Sequence, residues 1–152
     1  VFKILDLDIK FIGLSKDEES NPIFSNSAGE EFDINELSSG EKQPFLRTLS
    51  IQMLNPKNSI ILIDEPEVSL HPEWQQKIIE VYRKIGSNNQ IIVATHSPHI
   101  LGSVRKENIF VLVKDTEGNI TVKTGEELYA SYGQPTDKIL EGIMNLSSAR
   151  VP

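Results

Sequence analysis

Apolar and polar positions along the chain form two kinds of pattern, and each kind predicts a different element. Apolar residues follow helical spacing over 39–54 and over 72–85, where a proline opens the second pattern and Gly86 follows it. Continuous apolar runs at 59–64 and 90–95 flank that second helix. Such runs are typical of strands buried on both faces of a parallel sheet. Strand, helix and strand together predict a right-handed βαβ unit.

The N-terminal half contains weaker patterns. Partial alternation over 1–14 predicts an edge strand or a strand pair, and the polar segment 15–31 predicts a loop or a short hairpin around Ile23 and Phe24. The helix predicted after Ser39 places its apolar residues on one amphipathic face, which comprises Phe45, Leu46, Leu49, Met53 and Leu54.

The C-terminal part predicts a hairpin and a helix. Segments 109–113 and 120–123 flank the turn formers at 115–119, which is a hairpin signal with a longer loop. Residues 135–146 have the pattern of a final helix.

The length of 152 residues fits one domain. We therefore expect a single α/β domain over 1–152, with an N-terminal strand and loop over 1–31, a core over 32–113, and a hairpin and helix over 114–152.

Composition excludes several classes of protein. The net charge of −7 disfavours a large electrostatic footprint on nucleic acid, although a local basic face stays open. The absence of cysteine excludes disulfides and thiolate metal sites, and the three histidines lack the spacing of a zinc site. Neither a membrane-spanning apolar run nor a signal-peptide layout is present, so we expect a cytoplasmic protein.

Three short motifs occur in a fixed order and contain the candidate chemistry. They are Leu37–Gln43 (LSSGEKQ), Ile60–Pro66 (IILIDEP) and Ala94–Pro98 (ATHSP). Asp64 and Glu65 end a predicted buried strand, at the sheet edge where ligands of open α/β sheets gather. An aspartate there can hold Mg²⁺, and the glutamate can take a proton from an attacking water. The alternative is a pair of ordinary strand-end acids before a turn.

The first motif has the pattern of a helix start. Ser38 and Glu41 have the spacing of a capping box, and Gly40 leaves the backbone uncovered. Such a helix start can bind a phosphate, because it exposes backbone N–H groups and the positive end of the helix dipole. A simple helix cap is the alternative interpretation of the same residues. His96 follows the second predicted strand, where an imidazole can contact a phosphate oxygen or orient water, but a structural or solvated histidine is the alternative.

Taken together, the three motifs resemble the C-terminal half of an ABC-type ATPase nucleotide-binding domain, over about 32–113. Residues 37–41 correspond to the family's L-S-G-G-Q signature, 60–65 to Walker B, and 69–72 to the D-loop, while His96 corresponds to the switch histidine. Ser39 and Glu41 replace the Gly and Gln of the usual signature, and His71 replaces an Asp. These departures resemble the soluble SMC-, RecF- and OLD-like branch, which includes ATP-binding proteins of anti-phage and retron systems and of DNA repair.

The resemblance implies a fold, a cofactor set and site residues. The fold is a partial P-loop NTPase sheet with flanking helices, and the cofactors are ATP and Mg²⁺. Asp64 would hold Mg²⁺, and the catalytic residues would be Glu65 and His96. Two subunits of the family enclose ATP, so a homodimer is implied. The residues presented to the partner's nucleotide would be Ser38, Ser39, Gly40 and Glu41, and those at the dimer seam would be Ser69, Leu70 and His71.

A Gly-rich P-loop is absent from these residues. None of the nine glycines is followed by the Lys-Ser/Thr pair of G-x-x-x-x-G-K-[ST], so this chain on its own is expected to be inactive and to need an N-terminal P-loop lobe as partner. The alternative function is a noncatalytic ATPase-fold module that docks a partner chain. DNA, a nuclease or a toxin stays open as a further partner, and no membrane partner is expected.

Overall fold

The computed structural model describes residues 1–3, 5, 7–16, 20–128 and 130–144. The chain forms two units, of which the first spans Val1–Thr95 and the second begins at His96.

The first unit opens with a three-stranded antiparallel sheet. Its strands are β1 (Lys10–Leu14), β2 (Pro22–Ser25) and β3 (Glu31–Asp33), with β2 in the middle. The pairing of β1 with β2 shifts register between Phe11 and Gly13, which marks a bulge. The short hairpin predicted around Ile23 and Phe24 is therefore confirmed and is extended by a third strand.

The strand predicted over 1–14 begins only at Lys10, so the prediction is wrong for the described residues before it. The Leu5 and Leu7 N–H groups donate to the Val1 and Phe2 carbonyls at 3.1 and 3.0 Å, so this segment turns on itself. Phe2, Leu7 and Ile9 of this segment pack in a core and do not line a strand face.

That core is an aromatic cluster. Phe24 is fully buried, and its ring meets the Phe45 ring edge-on with 5.1 Å between centroids. The Phe2 ring stacks on Phe45 at 5.3 Å, and Leu37 is buried in the same cluster. Edge-to-face and offset ring pairs add stabilisation beyond the area they bury. The cluster therefore holds the sheet against the start of α1 (Ser39–Met53).

A parallel βαβ unit follows, as predicted. It consists of β4 (Ile60–Asp64), α2 (Pro72–Arg83) and β5 (Gln90–Ala94), and its strands pair in parallel from Ile60 opposite Gln90 to Asp64 opposite Ala94. The predicted apolar face of α2 is largely buried, with Ile78, Val81 and Tyr82 at its centre.

Burial of this sheet on both faces was a wrong prediction for this chain. Ile60, Leu62 and Ile92 are 66%, 74% and 48% exposed, while the residues that alternate with them are half-buried. A two-stranded sheet with one helix in its own crossover has cover for one face only. The predicted apolar face of α1 is also open, since Met53 and Leu54 are largely exposed.

The second unit contains short elements. They are α3 (Pro98–Gly102), a 3₁₀ turn (Lys106–Asn108), β6 (Val111–Lys114), β7 (Ile120–Lys123) and α4 (Thr136–Gly142). The predicted hairpin is confirmed, because β6 and β7 pair antiparallel with Leu112 opposite Val122. The final helix is confirmed over Thr136–Gly142 but ends before Ile143 and Met144, and residues 145 and 146 of the predicted range lie outside the described set.

Asp115 closes the hairpin turn. Its carboxylate accepts hydrogen bonds from the Asn119 side chain and from the backbone N–H groups of Asn119 and Glu117. These hydrogen bonds, that of the Asn119 side chain first, lower the pKa of Asp115. None of the helices in the described part of the chain combines the length and apolarity that a membrane crossing requires.

Candidate functional site

The start of α1 forms the capping box that the sequence predicts. The Ser38 hydroxyl accepts from the Glu41 N–H at 3.3 Å, and Glu41 Oε2 accepts from the Ser38 N–H at 2.9 Å and from its O–H at 2.7 Å. The Glu41 carboxylate therefore lies at the positive end of its own helix. A phosphate that binds at this helix start has to compete with that carboxylate for the same donors.

Gly40 of α1 lies close to Ser69, in the segment before α2, and to Trp74 of α2. A Cβ on Gly40 would lie 3.0 Å from the Ser69 carbonyl oxygen and 3.0 Å from Cζ3 of Trp74. Glycine is favoured here by close packing and not by its backbone, which is not left-handed. The sequence motif indicated an uncovered backbone, and the structure shows that other residues of the same unit fill that space.

The candidate acidic pair lies at the C-terminal end of β4. Asp64 pairs with Ala94 of β5, and both acidic side chains are exposed. Glu65 has a φ of 42°, in the left-handed region that side chains other than glycine seldom adopt. Its N–H donates to the Ala94 carbonyl at 2.9 Å, and its carbonyl accepts from Arg47 Nη1 at 3.1 Å. Both backbone groups of Glu65 are therefore held by other elements.

A tight turn joins the acidic pair to α2. The Val68 N–H donates to the Glu65 carbonyl at 3.3 Å, and the Leu70 N–H donates to the Glu67 carbonyl at 2.9 Å. Ser69 is also left-handed, with a φ of 66°. Glu67 is anchored to the next strand, because its Oε1 accepts from the Thr95 hydroxyl at 2.8 Å. The turn is thus fixed at both ends.

Removal of the Thr95 hydroxyl tests that anchor. We expect Thr95→Val to lower the free energy of unfolding by about 1 to 2 kcal/mol, because it deletes a partly buried hydrogen bond to a carboxylate. Thr95→Ser keeps the hydroxyl and is the matched control. Urea denaturation of the three proteins measures the difference. Equal losses in the valine and serine variants would show that packing, and not the hydrogen bond, is what Thr95 contributes.

The three predicted seam residues differ in their environment. Ser69 and His71 are exposed, whereas Leu70 is 7% exposed and its carbonyl accepts from Gln75 Nε2 at 2.9 Å. His71 is the N-cap of α2, and its Nδ1 accepts from the Glu73 N–H at 3.4 Å. His71 thus stands directly before Pro72, which opens α2.

His96 is exposed and opens the second unit. It directly follows Thr95, whose hydroxyl contacts Glu67 in the first unit. Ser97 is the N-cap of α3, with its hydroxyl accepting from the Ile100 N–H at 3.3 Å. The role of His96 at a phosphate stays a prediction.

Within the first unit, the structure brings the helix start at Ser38–Glu41 beside Ser69, and α1 beside Glu65. Sequence reasoning missed three residues around this site, which are Arg47, whose side chain contacts Glu65, and the hydrogen-bonded pair Glu67 and Thr95. Thr95 had a signal, since it stands inside the third motif, and Glu67 directly follows the second motif. Arg47 had none, because it lies in the middle of a helix.

Comparison with known proteins identifies the family. Residues 3–102 match the family described as "AAA domain, putative AbiEii toxin, Type IV TA system". The chain belongs to this AAA-domain family. The match includes the whole of the first unit from Lys3 onward and thus every contact described around Glu65.

Two relatives extend the match along the AAA-domain chain. The Septu protein PtuA of Bacillus thuringiensis is 31% identical over 99% of this chain and 41% of its own length. The Retron Ec83 probable ATPase of Escherichia coli is 33% identical over 73% of this chain and 25% of its own length. The AAA-domain chain therefore spans less than half of the length of these relatives.

A solved structure has the same fold. It comes from work on ATP-driven dimerization and DNA-stimulated activation of SMC ATPases, and it superposes with a TM-score of 0.62 at 17% identity. The alignment covers 97% of this chain and 88% of that one. The expected α/β fold of the P-loop NTPase class is confirmed, as is the resemblance to ATPases of the retron and SMC-like group.

Proposed function

We propose that this AAA-domain chain is the C-terminal lobe of a soluble ABC-type ATPase and that it contributes to a composite ATP-hydrolysing site. The observation that carries the proposal is the geometry at the end of β4. Glu65 is exposed, follows Asp64 directly, and has both backbone groups hydrogen-bonded to other elements. Family membership and an ATPase relative support the same reaction.

In this proposal the acidic pair performs the chemistry. Glu65 accepts a proton from the water that attacks the γ-phosphate, as a general base whose position is set before substrate arrives. His96 contacts the γ-phosphate. Positioning of the reactants and electrostatic stabilisation account for most of the rate in reactions of this class, because little covalent chemistry is left for the protein. A carboxylate held in place contributes to the positioning of the water.

The residues present fit Mg²⁺ brought with the nucleotide. No group of three or more His, Cys, Asp or Glu in the described ranges could hold a metal ion by itself. That agrees with Mg²⁺, which usually takes one or two carboxylates and completes its shell with water and phosphate oxygens. Asp64 would be the carboxylate, and the ion would neutralise charge on the phosphates.

The start of α1 would face the nucleotide bound to a second subunit. Ser38, Ser39, Gly40 and Glu41 contact that nucleotide in the proposal, once the Glu41 carboxylate has turned away from the phosphate seat. Ser69 and His71 are exposed and can lie at the dimer seam, where the buried Leu70 supports them through its backbone. The site then becomes complete only in a dimer.

A P-loop lobe is the other part of the proposal. The open face formed by Ile60, Leu62 and Ile92 supports a further layer of structure over β4 and β5, since this much apolar area is seldom left in water. The name intact ATPase is used below for the protein that contains both this chain and a P-loop lobe. We propose that the intact ATPase is cytoplasmic. The chain alone is then inactive, because its sequence contains no G-x-x-x-x-G-K-[ST] motif to cradle the phosphates.

Further partners follow from the relatives. The family description names a toxin, and the SMC structure concerns activation by DNA. We therefore propose DNA, or a toxin or nuclease chain, as the partner on which ATP turnover acts.

The alternative function is a noncatalytic docking module, which the same open sheet face favours. Titration of Mg-ATP into the chain, with and without the P-loop lobe, separates the two functions, because a docking module binds no nucleotide in either case.

A mixing experiment tests the composite site directly. Ser38→Asp keeps a good N-cap and places a negative charge where the γ-phosphate would bind, whereas Glu65→Gln removes the base. Each variant of the intact ATPase is expected to be inactive alone. A mixed dimer contains one subunit of each variant. One of its two sites then combines the native Ser38 of one subunit with the native Glu65 of the other, while the second site contains both substitutions. We expect about a quarter of wild-type turnover, since half of the dimers are mixed and each has one of two sites intact.

Two results would contradict this arrangement. If both variants are inactive and mixing restores no turnover although mixed dimers form, the two motifs serve the same subunit's site. If Ser38→Asp alone keeps wild-type turnover, the start of α1 has no part in the reaction. Ser38→Asn, which has the shape of the aspartate without its charge, is the matched control for the effect on the cap.

A further inference from the structure

We propose that Arg47 is a positioning residue for Glu65: by donating from Nη1 to the Glu65 carbonyl, it holds the peptide that presents the catalytic carboxylate. The inference rests on the proposed function, in which Glu65 is the general base. Arg47 lies outside all three motifs, in the middle of α1.

Glu65 needs such support because of its backbone. Its φ of 42° is in the left-handed region, which costs free energy for a residue with a Cβ. The next residue is Pro66, and a proline restricts the residue before it towards extended conformations. A conformation of this kind persists only where the surrounding structure fixes it. For Glu65 the fixing contacts are the N–H to Ala94 and the carbonyl to Arg47 and Val68.

The surroundings of Arg47 favour this one role. The side chain is half-buried, and no ion pair between Arg47 and a carboxylate is found in the described part of the chain. Its guanidinium lies near the hydroxyl of Tyr82 of α2, which is buried and makes no hydrogen bond of standard geometry with the described residues. Burial raises the pKa of Tyr82, and the nearby Arg47 charge opposes part of that rise. The guanidinium is therefore placed between α1, α2 and the turn after β4.

Loss of the Arg47 contact would leave the Glu65 peptide with fewer constraints. The backbone could relax towards an extended conformation, which would move the carboxylate away from the water it activates. A displacement of about 1 Å at a reacting group can cost on the order of 100-fold in rate. Arg47 touches neither the helix start nor Asp64 in the described contacts, so binding of nucleotide should be spared.

Steady-state kinetics of the intact ATPase tests the inference. Arg47→Met keeps the aliphatic stem and removes the donors, and we expect kcat to fall by about 10- to 100-fold with the KM for ATP changed by less than about twofold. Arg47→Lys keeps one cationic donor and should recover part of the loss. Arg83→Met removes an exposed arginine of α2 and is the matched control, with wild-type kcat and KM expected.

The outcomes separate this inference from the function on which it rests. Wild-type kcat in Arg47→Met, or a raised KM at unchanged kcat, overturns the role of Arg47 while Glu65→Gln stays inactive. If Glu65→Gln itself keeps wild-type turnover, the proposed function fails first. If Arg47→Met does not fold, the kinetics of Arg47→Lys decide alone. A kcat about 2- to 10-fold below wild type at unchanged KM supports the inference, and a wild-type kcat overturns it.

Discussion

Glu65→Gln is expected to lower ATP turnover by the intact ATPase at least about 100-fold, because a general base contributes about 10² to 10⁴ to such a rate. The amide has nearly the shape of the carboxylate but cannot accept the proton of the attacking water. The side chain is exposed, so folding should be unaffected. Phosphate release measures turnover, and titration of Mg-ATP measures binding, which we expect to be retained.

The control for Glu65→Gln is Glu80→Gln. Glu80 is an exposed acid of α2 whose ion pair with Lys84 lies on the surface, where such pairs contribute little. Its replacement changes the net charge by the same amount and should leave turnover at the wild-type rate. Turnover by Glu65→Gln within a few-fold of wild type would remove the acidic pair from the mechanism and leave the docking module as the better hypothesis.

Gly86→Ala is expected to destabilise the first unit by at least about 3 kcal/mol, which combines left-handed strain with overpacking. Gly86 lies shortly after the end of α2 and has a φ of 63°. A Cβ there would overlap the carbonyl oxygen of Pro56 and lie 2.6 Å from Asn89 Nδ2. Asn89 in turn donates to the Pro56 carbonyl and accepts from the Ser59 N–H, so the clash falls on the loops that lead into β4 and β5.

Gly29→Ala isolates the conformational part of that loss. Gly29 has a φ of 81°, but a Cβ there would meet nothing within 4 Å. We expect a loss of about 1 kcal/mol from the backbone conformation alone. Thermal unfolding and hydrogen exchange of the α2 amides compare the two variants. Equal losses would mean that the loops around Pro56 move aside at little cost.

Local patterns explain why much of the fold was predictable. The βαβ unit follows from apolar runs and from a helix bounded by Pro72 and Gly86, and the cap at Ser38 needs only a partner three residues away. The hairpin follows from turn formers between two short strands. In each case the residues that determine the element lie within a few positions of one another, so their spacing alone contains the information.

The wrong prediction that β4 is buried on both faces shows that a local pattern does not determine how a strand is covered. An apolar run indicates that a strand prefers to be covered, but it does not say which layer covers it. In the first unit the face with Ile60 and Leu62 is exposed, and α1 leaves Met53 and Leu54 in water. The strand predicted over 1–14 is present from Lys10, at the sheet edge, but failed before that residue for a similar reason, because Phe2 belongs to a three-dimensional aromatic core.

For the candidate site, the sequence by itself determined the acidic pair, the helix cap and the order of the motifs, because these depend on neighbouring positions. Only the tertiary structure decided that Gly40 packs on Ser69, that Glu65 has a left-handed backbone, and that Arg47 donates to it. Those contacts join residues from separate elements. Their geometry is set by how the helix and the strands pack, which no spacing along the chain records.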